Sequence, residues 1–250
     1  MKPFVWLTLL APLAATAHGE VCNPKDLQGA YGFLLTGEAT IGAGPQPVAT
    51  MGRLVFDAGQ ISGTSSVKFT GLLLGNPVTG SYTAQQDCSV SWSLQDDSGS
   101  FQHFQGTMTA DGKRVTFHQT DPGGVDNGTM ARTAADCNAA SLTGRYSLNV
   151  SGNTIDVDSA RNSGSISVKG SLDADGAGGL AFSTDPGLPP ATAGTYEFED
   201  GCVIHLVLKL PVAGGQIANM NFRGIFADSG RSVFGIQIDP GSAVSLRLTR

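Results

Sequence analysis

The side chains able to do chemistry in this 250-residue chain are few and scattered. In FQHFQ (101–105), Phe101, His103 and Gln105 share one face of an alternating run, opposite Phe104. His118 follows Phe117 in RVTFHQT (114–120), alternating with Thr116 and Thr120. Imidazole is the side chain that exchanges a proton near neutral pH. Trp92, in SVSWSLQ (89–95), lies on the face of Val90 and Leu94. Arg53 and Lys68 stand on early strand-like runs, GRLVFD (52–57) and TSSVKFTG (64–71). The second half offers His205, Lys209, Asn219, Asn221 and Arg223, with the two asparagines and the arginine alternating against Met220 and Phe222. Polar groups sprinkled among aromatics suit an apolar pocket that orients its ligand by a few hydrogen bonds. On that reading Arg53, Lys68, His103 and His118 are the catalytic candidates. Trp92, Phe101, Gln105 and Asn221 are the substrate contacts. Each has a plainer reading too. Tryptophan is most often core, and an alternating polar face is most often the solvated side of a sheet.

Established reaction signatures are missing. There is no G-x-S-x-G elbow, no H-E-x-x-H, no P-loop and no G-x-G-x-x-G after a strand. The four cysteines form no C-x-x-C and do not cluster with histidine, so no metal site is expected. The predicted N-terminus admits one copper reading. Cleavage after Ala17 would leave His18-Gly19 at a new N-terminus, similar to the copper-dependent polysaccharide oxygenases, with His103, His118 or His205 as the second ligand. Cys22 following so soon and the repeated architecture described below count against it.

The first residues, MKPFVWLTLLAPLAATA, combine a basic start, a short apolar run and an A-x-A site. That is the pattern of a secretory signal over 1–17, too short for a membrane span. The remainder is expected to be secreted. An even number of cysteines in a secreted chain implies disulfides. The sequons at Asn127 and Asn149 are candidate glycan acceptors. Charged residues make up 14% and the net charge is −6, without a basic cluster, so neither nucleic acid nor membrane is expected as a partner.

The chain reads as two copies of one unit. CNPKDLQGAY (22–31) and CNAASLTGRY (137–146) share C-N-x3-L-x-G-x-Y. TGSYTAQQDC (79–88) matches AGTYEFEDGC (193–202), and FQGTMTADGKRVTFHQTDPG (104–123) matches FRGIFADSGRSVFGIQIDPG (222–241). Arg132 and Arg247 are read as the matching closes of the halves. Equivalent halves should make equivalent bonds, Cys22–Cys88 and Cys137–Cys202. The expected division is 1–17 signal, 18–135 first repeat and 136–250 second repeat.

The elements that position these residues are strands. YGFLLTG (31–37), GRLVFD (52–57), TSSVKFTG (64–71), GSYTAQ (80–85), SVSWSLQ (89–95), FQHFQGTMT (101–109), RVTFHQT (114–120) and GTMART (128–133) alternate or run short between Gly, Asp, Asn and Pro. No window shows capped helical periodicity. The fold class is therefore all-β: two tandem antiparallel β-barrels, lipocalin-like or dirigent-like, with paired sandwiches as the alternative. Barrels of this size can hold one small ligand.

The repeated C-x4-L-x-G-x-Y, the central G-x-Y-x5-C and the D-P-G resemble a group of secreted all-β proteins. They are also similar to the fungal hetero-Diels–Alderases of tropolonic sesquiterpene biosynthesis. The resemblance spans the chain after the signal, and its motifs speak to fold before activity. It implies a cofactor-independent pericyclase joining a polyketide tropolone quinone methide to a terpene. Such a reaction needs two partners held in a reactive pose and a hydrogen-bond donor on the quinone-methide carbonyl. Aromatics such as Trp92 and Phe101 would stack on the tropolone, with His103, Lys68 or Arg53 as donor. The alternative is a non-catalytic secreted small-molecule-binding or surface protein.

Overall fold

The computed structural model describes residues 21–40, 44–183, 191–211 and 217–250. The expected signal segment, its expected cleavage site and His18 lie outside them, and so does the copper reading. The first repeat is a closed ring of eight strands, each paired antiparallel with the next in sequence: β1 (Gly29–Thr40), β2 (Pro45–Asp57), β3 (Gln60–Phe69), β4 (Leu72–Ala84), β5 (Ser89–Asp96), β6 (Phe101–Met108), β7 (Arg114–Gln119) and β8 (Gly124–Arg132), with β8 closing on β1. The second repeat repeats the order with β9 (Thr143–Asp156), β10 (Arg161–Asp175), β11 (Gly179–Ser183), β12 (Ala191–Phe198), β13 (Val203–Pro211), β14 (Ile217–Ala227), β15 (Ser232–Gln237) and β16 (Ser242–Thr249), with β16 closing on β9. The protein is thus all-β and built of two barrels, and each strand-like run of the first repeat falls on one of its strands.

Local chemistry accounts for the tight connections. Ala58-Gly59 and Thr70-Gly71 both have positive φ at each residue, and each joins directly paired strands, Asp57 to Gln60 and Phe69 to Leu72. Such two-residue turns match the twist of the strands they join. The opening of each repeat is held by its disulfide, Cys22–Cys88 and Cys137–Cys202. Each ties a short 3-10 turn before the first strand to the β4–β5 or β12–β13 connection and is worth about 4 kcal/mol in the chain-entropy model.

The tyrosines of the repeated template close the same end. Tyr31 donates to the Gly112 carbonyl, and Tyr146 donates to Gly230 at 2.8 Å. Arg132 lies over the Tyr31 ring at 5.5 Å and Arg250 over Tyr146 at 6.0 Å. The partner of Arg132 is therefore Arg250, which corrects the expected match with Arg247. Arg247 sits on the outer wall of the second barrel over Phe234, and burial lowers its pKa.

Inward side chains fill the lower part of each barrel. In the first, Trp92 stacks on Phe104 with centroids 5.3 Å apart and meets Phe117 edge-on at 5.0 Å, above Tyr31 and Phe56. A third cluster joins the barrels: Leu34, Ala49, Met51 and Ala131 from the first, against Ile225, Ala227, Phe234 and Ile236 from the second. The contact is unlike on its two sides, because β1 and β2 meet β14, β15 and β16, the counterparts of β6, β7 and β8. Gly32 permits the approach, since a Cβ there would lie 2.2 Å from the Ile225 side chain.

Candidate functional site

Parity along each strand decides what faces the barrel interior. On β2, Leu54 and Phe56 are in the core, so Arg53, one residue before Leu54, points out, against Gly201 of the second barrel. Lys68 alternates with the inward Val67 and also points out. It is fully buried between the barrels, with Nζ donating to the carbonyls of Gly71 at 3.2 Å and Asp239 at 2.6 Å. Burial lowers its pKa, against the nearby Asp239 charge. The Gly241 N–H donates to the same Gly71 carbonyl, so Lys68 belongs to a tie between the two barrel mouths.

His103, Gln105 and His118 are exposed on the outer wall because Phe104 and Phe117 take the interior. The backbone N–H of His103 donates to Asp121 Oδ2 at 2.7 Å and its Nδ1 lies 2.7 Å from Asp121 Oδ1, while Gln119 Nε2 donates to the same carboxylate. In the second repeat the Asn221 N–H and Nδ2 make the same pair of bonds to Asp239, with Gln237 as the third donor. His103 and Asn221 are thus one element written twice: a clamp on the Asp of D-P-G that fixes the last hairpin. Burial pushes the Asp121 carboxyl up, but these hydrogen bonds outweigh it and its pKa falls.

The expected site therefore does not assemble as one pocket. His103 and Gln105 share a shallow outer groove with Ser81, Thr83 and Ser91. Phe101 stands on the rim, 58% exposed, and Trp92 is core. Asn127 is exposed, whereas the Oδ1 of Asn149 is enclosed without a hydrogen-bond partner.

A different site appears above the aromatic floor of the first barrel. A cavity of about 470 Å³ opens at the end bearing the β3–β4, β5–β6 and β7–β8 turns. Its wall is apolar at Leu35, Val48, Val67 and Leu94, and polar at Thr50, Asp96, Gln102 and Asp126. Asp126 shares its strand face with Gly128 and the core residue Met130 and is 4% exposed. Its Oδ1 has no hydrogen-bond partner. Burial raises its pKa to about 6; a backbone hydrogen bond from Glu38 opposes this and the Glu38 charge adds to it.

The second barrel supplies an internal control. Strand pairing places Thr50 opposite Leu35, and Val168 opposite Val150, the matching residue of β9. The same register equates Asp96 with Leu210, Gln102 with Met220 and Asp126 with Val244. All four second-repeat residues are buried and apolar. The second mouth cavity, about 610 Å³, has no ionisable residue among its described lining. The signal that could have found the first site was available in the D-P-G alignment, which sets Asp126 beside Val244.

No family model matches the chain, and no curated protein matches it. Among solved structures it is similar to the isotype 1 transferrin binding protein B of serogroup B Neisseria meningitidis, with 7% identity and a TM-score of 0.33 over 91% of this chain and 76% of that one. A porin-like protein from Bacteroides uniformis is matched at 7% identity and a TM-score of 0.15, over 93% of this chain and 99% of that one.

Proposed function

We propose that the protein is a secreted, lipocalin-like small-molecule binder whose ligand site is the upper cavity of the first barrel. The observation that carries this reading is the retention of a buried carboxylate, Asp126, with one oxygen that has no hydrogen-bond partner, where the other repeat has Val244. Burying an incompletely hydrogen-bonded charge costs stability and is tolerated where the group serves a ligand. The half-apolar wall and few polar groups fit a ligand pocket. The test is titration with a neutral, environment-sensitive fluorophore, N-phenyl-1-naphthylamine. One saturable site is expected in the wild type and none in Thr50→Phe, which fills the cavity. Absence of saturable uptake in the wild type, or unchanged uptake in the filled variant, would overturn the reading.

The same cavity favours one second reading, the cofactor-independent hetero-Diels–Alder reaction implied by the resemblance. A protonated carboxylic acid in an apolar site can donate a hydrogen bond to a developing oxyanion. Asp126, with its raised pKa, would then be the donor to the quinone-methide carbonyl, in place of Arg53, Lys68, His103 and His118.

A further inference from the structure

The charge of the first cavity narrows the ligand class, and the argument rests on the binding reading above. Among the described residues, three carboxylates line the cavity, Asp96, Asp121 and Asp126, and no Lys, Arg or His does. Two of the three are already satisfied. Asp96 Oδ1 accepts from the Ser98 N–H at 2.9 Å, the Ser98 hydroxyl at 2.6 Å and the Ser100 N–H at 3.0 Å. Asp121 is clamped by His103 and Gln119. Asp126 alone of the three is both enclosed and left with an oxygen that has no partner.

Its depth and the rim above it set the shape of a ligand. Asp126 is two residues in from Gly124, the first residue of β8, which puts it about 7 Å below the mouth. Leu74 and Phe101 line that mouth and are exposed, with Leu72 beside them. An acidic floor beneath an apolar collar suits a molecule with a cationic head and an apolar tail. An anion would meet three carboxylates and no compensating cation. A neutral alcohol could donate one hydrogen bond to Asp126 but would bring no charge to it.

We propose that the upper cavity of the first barrel binds a small amphipathic amine as its ammonium ion, with the nitrogen on Asp126 and the apolar part against Leu74 and Phe101. A charge-assisted hydrogen bond in a site shielded from water is stronger than its neutral equivalent. The second barrel, with Val244 at this position, makes no such contact.

The test displaces N-phenyl-1-naphthylamine with n-octylammonium, n-octanol and n-octanoate at pH 7.5, in the wild type and in Asp126→Asn. The ammonium is expected to compete best, and Asp126→Asn is expected to weaken it about tenfold or more while leaving n-octanol within about threefold. If n-octanol competes as well as n-octylammonium, or if Asp126→Asn weakens both equally, the ammonium assignment is overturned and the binding reading stands. If the fluorophore itself finds no saturable site, both fall. A circular-dichroism melt of Asp126→Asn separates loss of the contact from loss of the fold.

Discussion

The two repeats share a backbone plan but have divided their differences between the outer wall and the inner wall. On the outside, His118 of β7 is exposed while its counterpart Ile236 is fully buried against the first barrel. Thr116 likewise corresponds to Phe234, and Leu34 to Asn149. Each apolar member of these pairs lies in the seam and each polar member faces away from it. The pattern is that of unlike surfaces packed head to tail, which would continue into further copies if both outer walls stayed apolar. On the inside the direction reverses. The first barrel keeps Thr50, Asp96, Gln102 and Asp126 where the second has Val168, Leu210, Met220 and Val244. The outer differences explain how two barrels pack once and stop. The inner ones have no packing benefit, and on the proposed reading they serve a ligand instead.

The largest effect should come from erasing an outer difference. Ile236→His would place an imidazole in the apolar seam beside Phe234 and Ile225. It should cost about 4 kcal/mol, combining lost burial with an unpaired polar group. The reverse change, His118→Ile, should stay within about 0.5 kcal/mol because the site is exposed. Urea unfolding of both variants checks this; equal losses would mean that the outer walls are not specialised as described.

Erasing the inner difference should do the opposite and stabilise. The folded pKa of Asp126, about 6, lies above the ordinary aspartate value. The native state therefore binds this proton more tightly than the unfolded chain does. The cost of the ionised group is full above pH 6 and disappears as pH falls below about 4, where both states are protonated. Asp126→Val should gain about 3 kcal/mol at most at pH 7.5 and little at pH 4, measured as the difference in melting free energy. Other carboxyls stand near Asp126, Glu38 on β1 and Asp96 on β5, so the variant is compared with the wild type at each pH rather than across pH. A gain that persists unchanged at pH 4 would mean that packing, not charge, sets the difference.

Much of the fold was legible in the residues. Alternation and turn glycines located the eight strands of the first repeat, and the matched cysteines selected both disulfides. Gly29 and Gly144, with φ of 92° and 87°, sit where the repeated template turns into its first strand. The site was less legible, for a physical reason. Alternation separates two faces of a strand but does not say which face is inside. A run such as FQHFQ, with aromatics on both faces, leaves the choice to the neighbours. The core Phe104 resolves it, and His103, Gln105 and Phe101 go outside or to the rim. The same ambiguity leaves Lys68 and Arg53 free to face inward or into solvent, and in the structure they do neither, because the second barrel covers them. Asp126 was overlooked because its strand reads as a glycine-rich turn, GVDNG, and its burial follows only from closure of β8 on β1.

The smallest expected effect bears on the clamp that both repeats share. His103 and Asn221 each present a backbone N–H and one side-chain nitrogen to the carboxylate of D-P-G, at 2.7 to 2.8 Å. If the imidazole serves only that geometry, asparagine can replace it. His103→Asn should then change stability by less than about 0.5 kcal/mol, and leave fluorophore uptake unaltered. His103→Ala should cost about 1 kcal/mol, the usual loss for one hydrogen bond, because Asp121 Oδ2 keeps its backbone and Gln119 donors while Oδ1 loses the ring. Rescue by asparagine is the decisive feature. A proton-transfer role at His103 would require the imidazole itself, so any activity that falls equally in the Asn and Ala variants would return this residue to the chemistry and break the equivalence of the two clamps.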